Sequence, residues 1–295
     1  MGYLNPLSIG NLSGTLDLSS AELRDLVDRA LAEDLGQGDL TTSVTVPPET
    51  LACGTFRSKQ SLVVAGLPVA AMVFEVLRPP AEWIPTLKDG TEVAQGTELS
   101  RACGPAATLL AGERVALNFL QHLSGVATYA RRLKEELAGT RAEFLDTRKT
   151  TPGLRTLQKY AVRLGGGQNH RLRLDDGILI KNNHLLLTGG IRAAVTNAQR
   201  QRQAGYHIEV EVTSLAQLEE ALECGADGVL LDNMTPEEVR QCVERAAGRI
   251  RLEVSGGIDA TNIRAYAETG VDYISVGALT HSAPAVDINF RIDPA

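Results

Sequence analysis

The sequence predicts an α/β protein: an N-terminal α+β unit followed by a closed or nearly closed, TIM-like α/β barrel of six parallel strands. Three observations carry that expectation. Between about residues 20 and 104, helical stretches mix with short strand-like runs in no regular alternation. From residue 143 onward, short apolar runs alternate with amphipathic helical stretches, the pattern of parallel strands joined by helical crossovers. Each of those apolar runs ends in a polar or glycine cluster, and in barrels of this kind chemistry sits at the C-terminal ends of the strands.

Taken in order, the chain opens on MGYLNPLSIGNLSG. It lacks a basic region followed by an apolar stretch, so it reads as a loose arm and not a secretory signal. Ser20, Glu22 and Asp25 suit a helix start, and Leu23, Leu26, Val27, Ala30 and Leu31 recur at helical spacing up to Gly36. GQGDLTT then reads as a polar turn. Residues 50–58, 62–65, 83–87 and 97–102 read as strands. A helix over 67–77 is stopped by Pro79-Pro80. Pro105 opens a long helical stretch with a break expected at Ser124-Gly125. Arg114 within it either snorkels at a rim or reaches a carboxylate or phosphate, on its own or a second chain. The barrel strands are expected at 143–146, 178–181, 207–211, 228–231, 251–254 and 272–275. The helices between them are expected at 154–164, 190–203, 215–223, 236–246 and 261–268. No GxGxxG follows the first strand, which argues against a dinucleotide-binding fold.

Composition narrows the function. The 295 residues are 43% hydrophobic and only 4% aromatic, against a base-stacking platform for nucleic acid. A formal net charge of -7 argues against a general polyanion binder. No run of eighteen apolar residues occurs, so a membrane span is not expected and a cytoplasmic place is. Cys53, Cys103, Cys224 and Cys242 show no CxxC spacing and read as four free, buried or half-buried thiols.

The positive charge is concentrated. Residues 146–184 hold eight Lys/Arg (Arg148, Lys149, Arg155, Lys159, Arg163, Arg171, Arg173 and Lys181) against three acids, with few residues able to build a core. Cations gathered beside Gly165-Gly166-Gly167 suggest a pocket for a small polyanion. His170 and His184 fall in this stretch and read as binding residues, whereas His122 and His207 read as structural. Glu211 and Asp232 end successive strands. Such carboxylates hold Mg²⁺ through water, bond sugar hydroxyls or stabilise a cation, or they pair with Lys149 or Lys181. VSGGI followed by a helix (Ser255, Gly256, Gly257), and SVGAL at the next strand end (Gly277, with His281 beyond), suit a phosphate held by backbone N–H groups and a helix dipole. The pocket therefore has a phosphate end, two central carboxylates and a cationic end.

The motifs ALAEDLGQGDLTT, GERVALNFLQHLSGVAT, DTRKTTPGLR, KYAVRLGGGQNHR, DDGILIKNNH, IEVEV, VLLDNM, LEVSGGI and SVGALTHS resemble those of the quinolinate phosphoribosyltransferase family, from about residue 30 to 282. The resemblance implies transfer of a phosphoribosyl group from phosphoribosyl pyrophosphate to quinolinate with loss of CO₂, using Mg²⁺, in de novo NAD biosynthesis. It implies an N-terminal domain over 1–125, to which 283–295 returns, and an incomplete barrel over 126–282. It also implies a homodimer, sometimes further assembled, in which one chain's N-terminal domain closes its partner's barrel. By motif, Arg148, Lys149, His170, Arg171 and Lys181 line the quinolinate and pyrophosphate end, with Arg114 arriving from the partner. Glu211 and Asp232 serve ribose and Mg²⁺; Lys149, Lys181, Glu211 and Asp232 are the catalytic candidates. Ser255, Gly256, Gly257, Gly277 and His281 hold the 5′-phosphate. Two alternatives are a related phosphoribosyltransferase with another acceptor and a non-catalytic phosphate-sugar binding protein.

Overall fold

The structure, a computed structural model, describes residues 21–203 and 205–294. The expected arm and the helix start at Ser20 lie outside those residues. The described chain divides into two compact units, one of 21–129 with 283–294 and one of Ala130–Ser282.

In the first unit, α1 (Ala21–Leu35) buries Leu23, Val27 and Leu31, one stripe at four-residue spacing. The segment expected as a polar turn is one over 36–39, but its last three residues open a six-residue helix, α2 (Leu40–Thr45). Asp39 is the reason: its carboxylate accepts the Thr42 N–H at 3.0 Å and caps the first turn. Then follow β1 (Leu51–Ser58), β2 (Leu62–Val63), α3 (Leu67–Val76), β3 (Glu82–Pro85), β4 (Glu92–Val93) and β5 (Glu98–Pro105). The last strand, β12 (Ile288–Pro294), returns to pair with β1, giving a sheet of order β12-β1-β5-β3. Phe56, Phe74, Trp83 and Phe290 cluster on it, with Phe56 and Phe290 ring centroids 4.4 Å apart. A Cβ at Gly54 would fall 1.8 Å from the Phe290 ring, so only glycine fits beneath it.

Two further expectations fail in this unit. Cys53 and Cys103 are a disulfide and not free thiols: β1 and β5 pair antiparallel with these residues opposed, their Cα atoms 4.1 Å apart. Cys224 is half-buried and Cys242 buried, both free, as expected. The helix α4 (Ala106–Glu136) runs 31 residues without the break expected at Ser124-Gly125. Tertiary contacts use both residues. The Ser124 hydroxyl accepts the Ala65 N–H at 3.0 Å and donates to the Ala65 carbonyl at 3.2 Å. Gly125 leaves room for the Pro284 carbonyl, which a Cβ would meet at 2.2 Å.

In the second unit, six parallel strands stand in the order β6-β11-β10-β9-β8-β7. They are β6 (Glu143–Leu145), β7 (Ile178–Ile180), β8 (Ile208–Val212), β9 (Gly228–Asp232), β10 (Arg251–Ser255) and β11 (Tyr273–Ser275). The end strands β6 and β7 do not pair with each other, so the barrel is incomplete. The expected crossover helices are present as α5 (Arg155–Leu164), α7 (Ile191–Gln201), α8 (Leu215–Glu223), α9 (Pro236–Ala246) and α10 (Ile263–Ala267). Two short helices, α6 (Asn182–Thr188) and α11 (Ala278–His281), were not expected. The basic segment is also richer in core than expected, since Leu157, Ala161, Val162, Leu179 and Ile180 are all buried. Among the described residues no helix is long and apolar enough to cross a membrane.

Candidate active site

Two segments that bear cations are fixed by one buried charge. Asp146, just past β6, is fully buried and pairs with the equally buried Lys159 of α5. Its carboxylate also accepts from the Asn169 amide and from the His170 N–H, the latter at 3.0 Å. Lys159 donates in addition to the His170 carbonyl at 2.8 Å. Burial pushes the Asp146 carboxyl up and the Lys159 ammonium down, against their mutual attraction. Gln168 meanwhile lies along the free edge of β6, its N–H on the Phe144 carbonyl at 3.0 Å and its carbonyl accepting the Asp146 N–H at 3.1 Å. Lys159 is therefore not a ligand-binding cation of the basic segment; it is the internal strut that sets the 146–149 and 168–171 loops. Gln158 and Thr280 tie the first of these to α11: Gln158 donates to the Thr280 carbonyl at 2.9 Å, and the Thr280 hydroxyl to the Lys149 carbonyl at 2.7 Å.

Eight of the expected site residues line one pocket at the C-terminal ends of the strands: Arg148, Lys149, His170, Arg171, Lys181, Glu211, Asp232 and Ser255. Arg171 is buried and donates to the Gly177 carbonyl at 2.9 Å; burial, with Arg148 close by, lowers its proton affinity. Lys181 reaches the Glu211 carboxylate at 3.2 Å, and the Asn182 N–H meets the other Glu211 oxygen at 3.3 Å. Asp232 accepts from the Ser255 hydroxyl at 3.0 Å and from the Asn233 amide at 2.8 Å. His184 does not line the pocket. Its Nδ1 accepts the Lys181 N–H at 2.9 Å and so caps α6, where binding had been expected.

The glycine loops lie outside that lining. Gly256 must be glycine twice over: its φ is +108°, and a Cβ would strike the Asn233 side chain at 2.3 Å. Gly257 has φ +61° and open space on its Cβ side. The helix expected directly after VSGGI begins only at Ile263, since Asp259, Thr261 and Asn262 first bond one another in a turn. Its dipole is therefore not at the glycines. At Gly277 a Cβ would come within 3.1 Å of both the His281 ring and the Lys149 stem, so the bare backbone there lets these two side chains converge. Arg114 is exposed on α4 in the other unit.

Sequence reasoning missed Glu209 and Glu253. Glu209 is two residues before Glu211 on β8, and Glu253 two before Ser255 on β10. With side chains alternating along a strand, each shares the barrel-facing side with a recognised site residue. That period of two was the available signal. Both are buried, with side chains 5% and 0% exposed. His170 Nε2 stands 3.5 Å from each carboxylate. The Arg171 N–H donates to His170 Nδ1 at 2.7 Å, which leaves the ring proton on Nε2, facing the acids. Both Glu253 oxygens and one Glu209 oxygen lack a hydrogen-bond partner. Burial pushes both carboxyls up to about 7, with Arg171 and Lys181 opposing it at Glu209, and with Glu209 reinforcing it at Glu253. These three residues are grouped closely enough to surround a cation. A cation there would have to displace the Nε2 proton, so the set suits a proton better than a metal.

With this geometry in view, comparison with known proteins is direct. Family models described as quinolinate phosphoribosyl transferase, N-terminal and C-terminal domains, match residues 39–124 and 126–291. The chain is 40% identical over 275 residues to a probable nicotinate-nucleotide pyrophosphorylase (carboxylating) of Bacillus subtilis, covering 93% of this chain and 95% of the relative. It is 42% identical over 275 residues to the nicotinate-nucleotide pyrophosphorylase (carboxylating) of Mycobacterium leprae, covering 91% and 96%. The nicotinate-nucleotide pyrophosphorylase structure from Francisella tularensis superposes with a TM-score of 0.89 at 37% identity, covering 95% of this chain and 98% of that one. The chain belongs to the quinolinate phosphoribosyltransferase family.

Proposed function

We propose that this protein transfers the phosphoribosyl group of phosphoribosyl pyrophosphate to the ring nitrogen of quinolinate and releases pyrophosphate and CO₂, leaving nicotinate mononucleotide for NAD synthesis. One observation carries the reading at this site: Arg148, Lys149, Arg171 and Lys181 surround a single pocket whose wall holds Glu211 and Asp232. Quinolinate carries carboxylates on adjacent ring carbons and needs several cations at once. At 4 Å an opposite charge contributes about 4 kcal/mol at an effective dielectric near 20, before desolvation.

In this reading, Arg148, Arg171, His170 and Lys181 hold the two carboxylates, and Lys149 faces the pyrophosphate. Lys181 pairs with Glu211 at 3.2 Å, and the lysine shifts to substrate on binding. As pyrophosphate departs, C1 of the ribose becomes oxocarbenium-like, and Glu211 and Asp232 stabilise that charge. Ser255 and the backbone at Gly256, Gly257 and Gly277, with His281, receive the 5′-phosphate. Attack by the ring nitrogen makes a pyridinium, which stabilises the carbanion left when the adjacent carboxylate leaves as CO₂.

Mg²⁺ is part of the proposal, where it would neutralise the leaving pyrophosphate. Glu211 and Asp232 fit it as outer partners. Each carboxylate already accepts two protein hydrogen bonds, which suits contact through water with an ion carried by the pyrophosphate. A homodimer with Arg114 delivered to the partner's pocket is the assembly we propose. A cytoplasmic place suits substrates too highly charged to cross membranes unaided.

The test is nicotinate mononucleotide formation with quinolinate or nicotinate as acceptor. Quinolinate reacts; nicotinate, with a single carboxylate for the same cations, reacts very poorly or not at all. Equal turnover of the two acceptors would refute the reading.

A further inference from the structure

We propose that Glu253 is the acid that delivers a proton to the pyridine carbon vacated by CO₂, an inference that rests on the reaction proposed above. Decarboxylation breaks the bond between that carbon and its carboxylate, and the electron pair stays on the ring. As that bond breaks, the pair takes a proton from a group at the pocket in the same step, so release of CO₂ depends on the acid. The bond formed is C–H, the bond broken is the carboxyl O–H, and Glu253 is left as a carboxylate that regains a proton from solvent after product leaves.

The placement carries the assignment. Glu253 lines the same pocket as the cations that hold the substrate's carboxylates. Its side chain is fully buried, and neither oxygen has a hydrogen-bond partner. An ionised carboxylate so placed would be uncompensated, whereas the acid form is the tolerable one. The groups facing it divide. Glu209 on β8 favours the acid form, while His170 at 3.5 Å, Ser275 on β11 and Lys181 at the end of β7 favour the charged form, and burial outweighs them; Tyr273 also faces it from β11. Across the sheet on β9 its neighbour is the apolar Leu230. Burial first, then Glu209, keep the carboxyl protonated up to about pH 7. A substrate bringing two further negative charges raises that proton affinity again, so the proton is in place when the bond breaks. Glu211 and Asp232 are already engaged, each accepting two hydrogen bonds from protein donors.

The experiment separates the two halves of the reaction. A single turnover is run with wild-type protein and with Glu253→Gln, using quinolinate labelled in the carboxylate that departs, and pyrophosphate and CO₂ are timed independently. Glutamine copies the shape and neutrality of the protonated acid but has no proton to give. A residue with only a structural role would be replaced by it without kinetic consequence. We expect pyrophosphate release to persist in Glu253→Gln while CO₂ release lags by about a hundredfold, the usual scale of a lost general acid. The quinolinate mononucleotide, still bearing both carboxylates, accumulates. CO₂ keeping pace with pyrophosphate in the variant overturns the inference alone. No pyrophosphate release from quinolinate by the wild type overturns the underlying reaction instead. Should Glu253→Gln fail to fold, the wild type decides the matter. Its CO₂ lag must grow as pH rises between about 6 and 9, and a lag independent of pH overturns the assignment.

Discussion

At Glu253 burial is set against charge, and stability must record the outcome. The carboxyl titrates near 7 in the fold against an ordinary 4.5. Between those values the native protein keeps a proton that the unfolded chain has already lost. Stability is therefore highest below about pH 4.5 and declines as pH rises through about 7. At about 1.4 kcal/mol per pKa unit, the loss is on the order of 3 kcal/mol, shared with Glu209 because the two titrate together. Glu253→Gln removes the ionisation. Its Tm should match wild type near about pH 5 and exceed it by several degrees near about pH 8, measured by thermal unfolding at both. An equal difference at the two pH values would mean that Glu253 is ionised in the fold throughout. The same residue marks a limit of sequence reading. Glu253 sits in LEVSGGI beside residues whose motif was recognised, yet its burial depends on strands β9 and β11, which are remote in sequence.

At the scale of elements, α4 opposes local propensity to tertiary contact. Gly125 interrupts a helical pattern, and replacing a helical glycine by alanine ordinarily stabilises by about 1 kcal/mol. Here the added Cβ meets the Pro284 carbonyl at 2.2 Å and the Ala285 Cα at 3.0 Å, both backbone. Overpacking of that kind costs about 1–3 kcal/mol, so the usual gain is reversed. Gly125→Ala should lower Tm, and Gly125→Val should lower it further. A stabilised alanine variant would show that 283–285 moves aside freely. What could be read in the sequence follows the same division. The six barrel strands and their crossover helices were legible because periodicity persists over each. α6 and α11 were too short to show a period, and α2 depended on the single cap at Asp39. The Cys53–Cys103 pairing arose from strand register across a separation of 50 residues, which spacing alone does not show. The cations at the strand ends were legible as a group, yet Lys159 among them proved a buried strut, because only the fold brings Asp146 beneath it.

For the whole molecule, the open question is whether two chains share each site. Arg114 lies on α4, exposed and remote in sequence from every barrel strand end, whereas Lys149 follows β6 of its own barrel and lines the pocket there. If Arg114 serves the partner's pocket, each site draws one residue from each chain. Arg114→Ala and Lys149→Ala homodimers should then both be nearly inactive, for different reasons. In a mixed dimer one site receives both defects, and the other receives an intact arginine and an intact lysine. Random exchange makes roughly half of the dimers mixed, so about a quarter of wild-type activity should return in the whole population, and about half in the isolated mixed dimers, for a two-fold symmetric dimer. The measurement is activity after co-expression of the two variants carrying different tags, with mixed dimers isolated through both tags. Mixed dimers that form and remain as inactive as either parent would place Arg114 outside the partner's site and leave its role to its own chain.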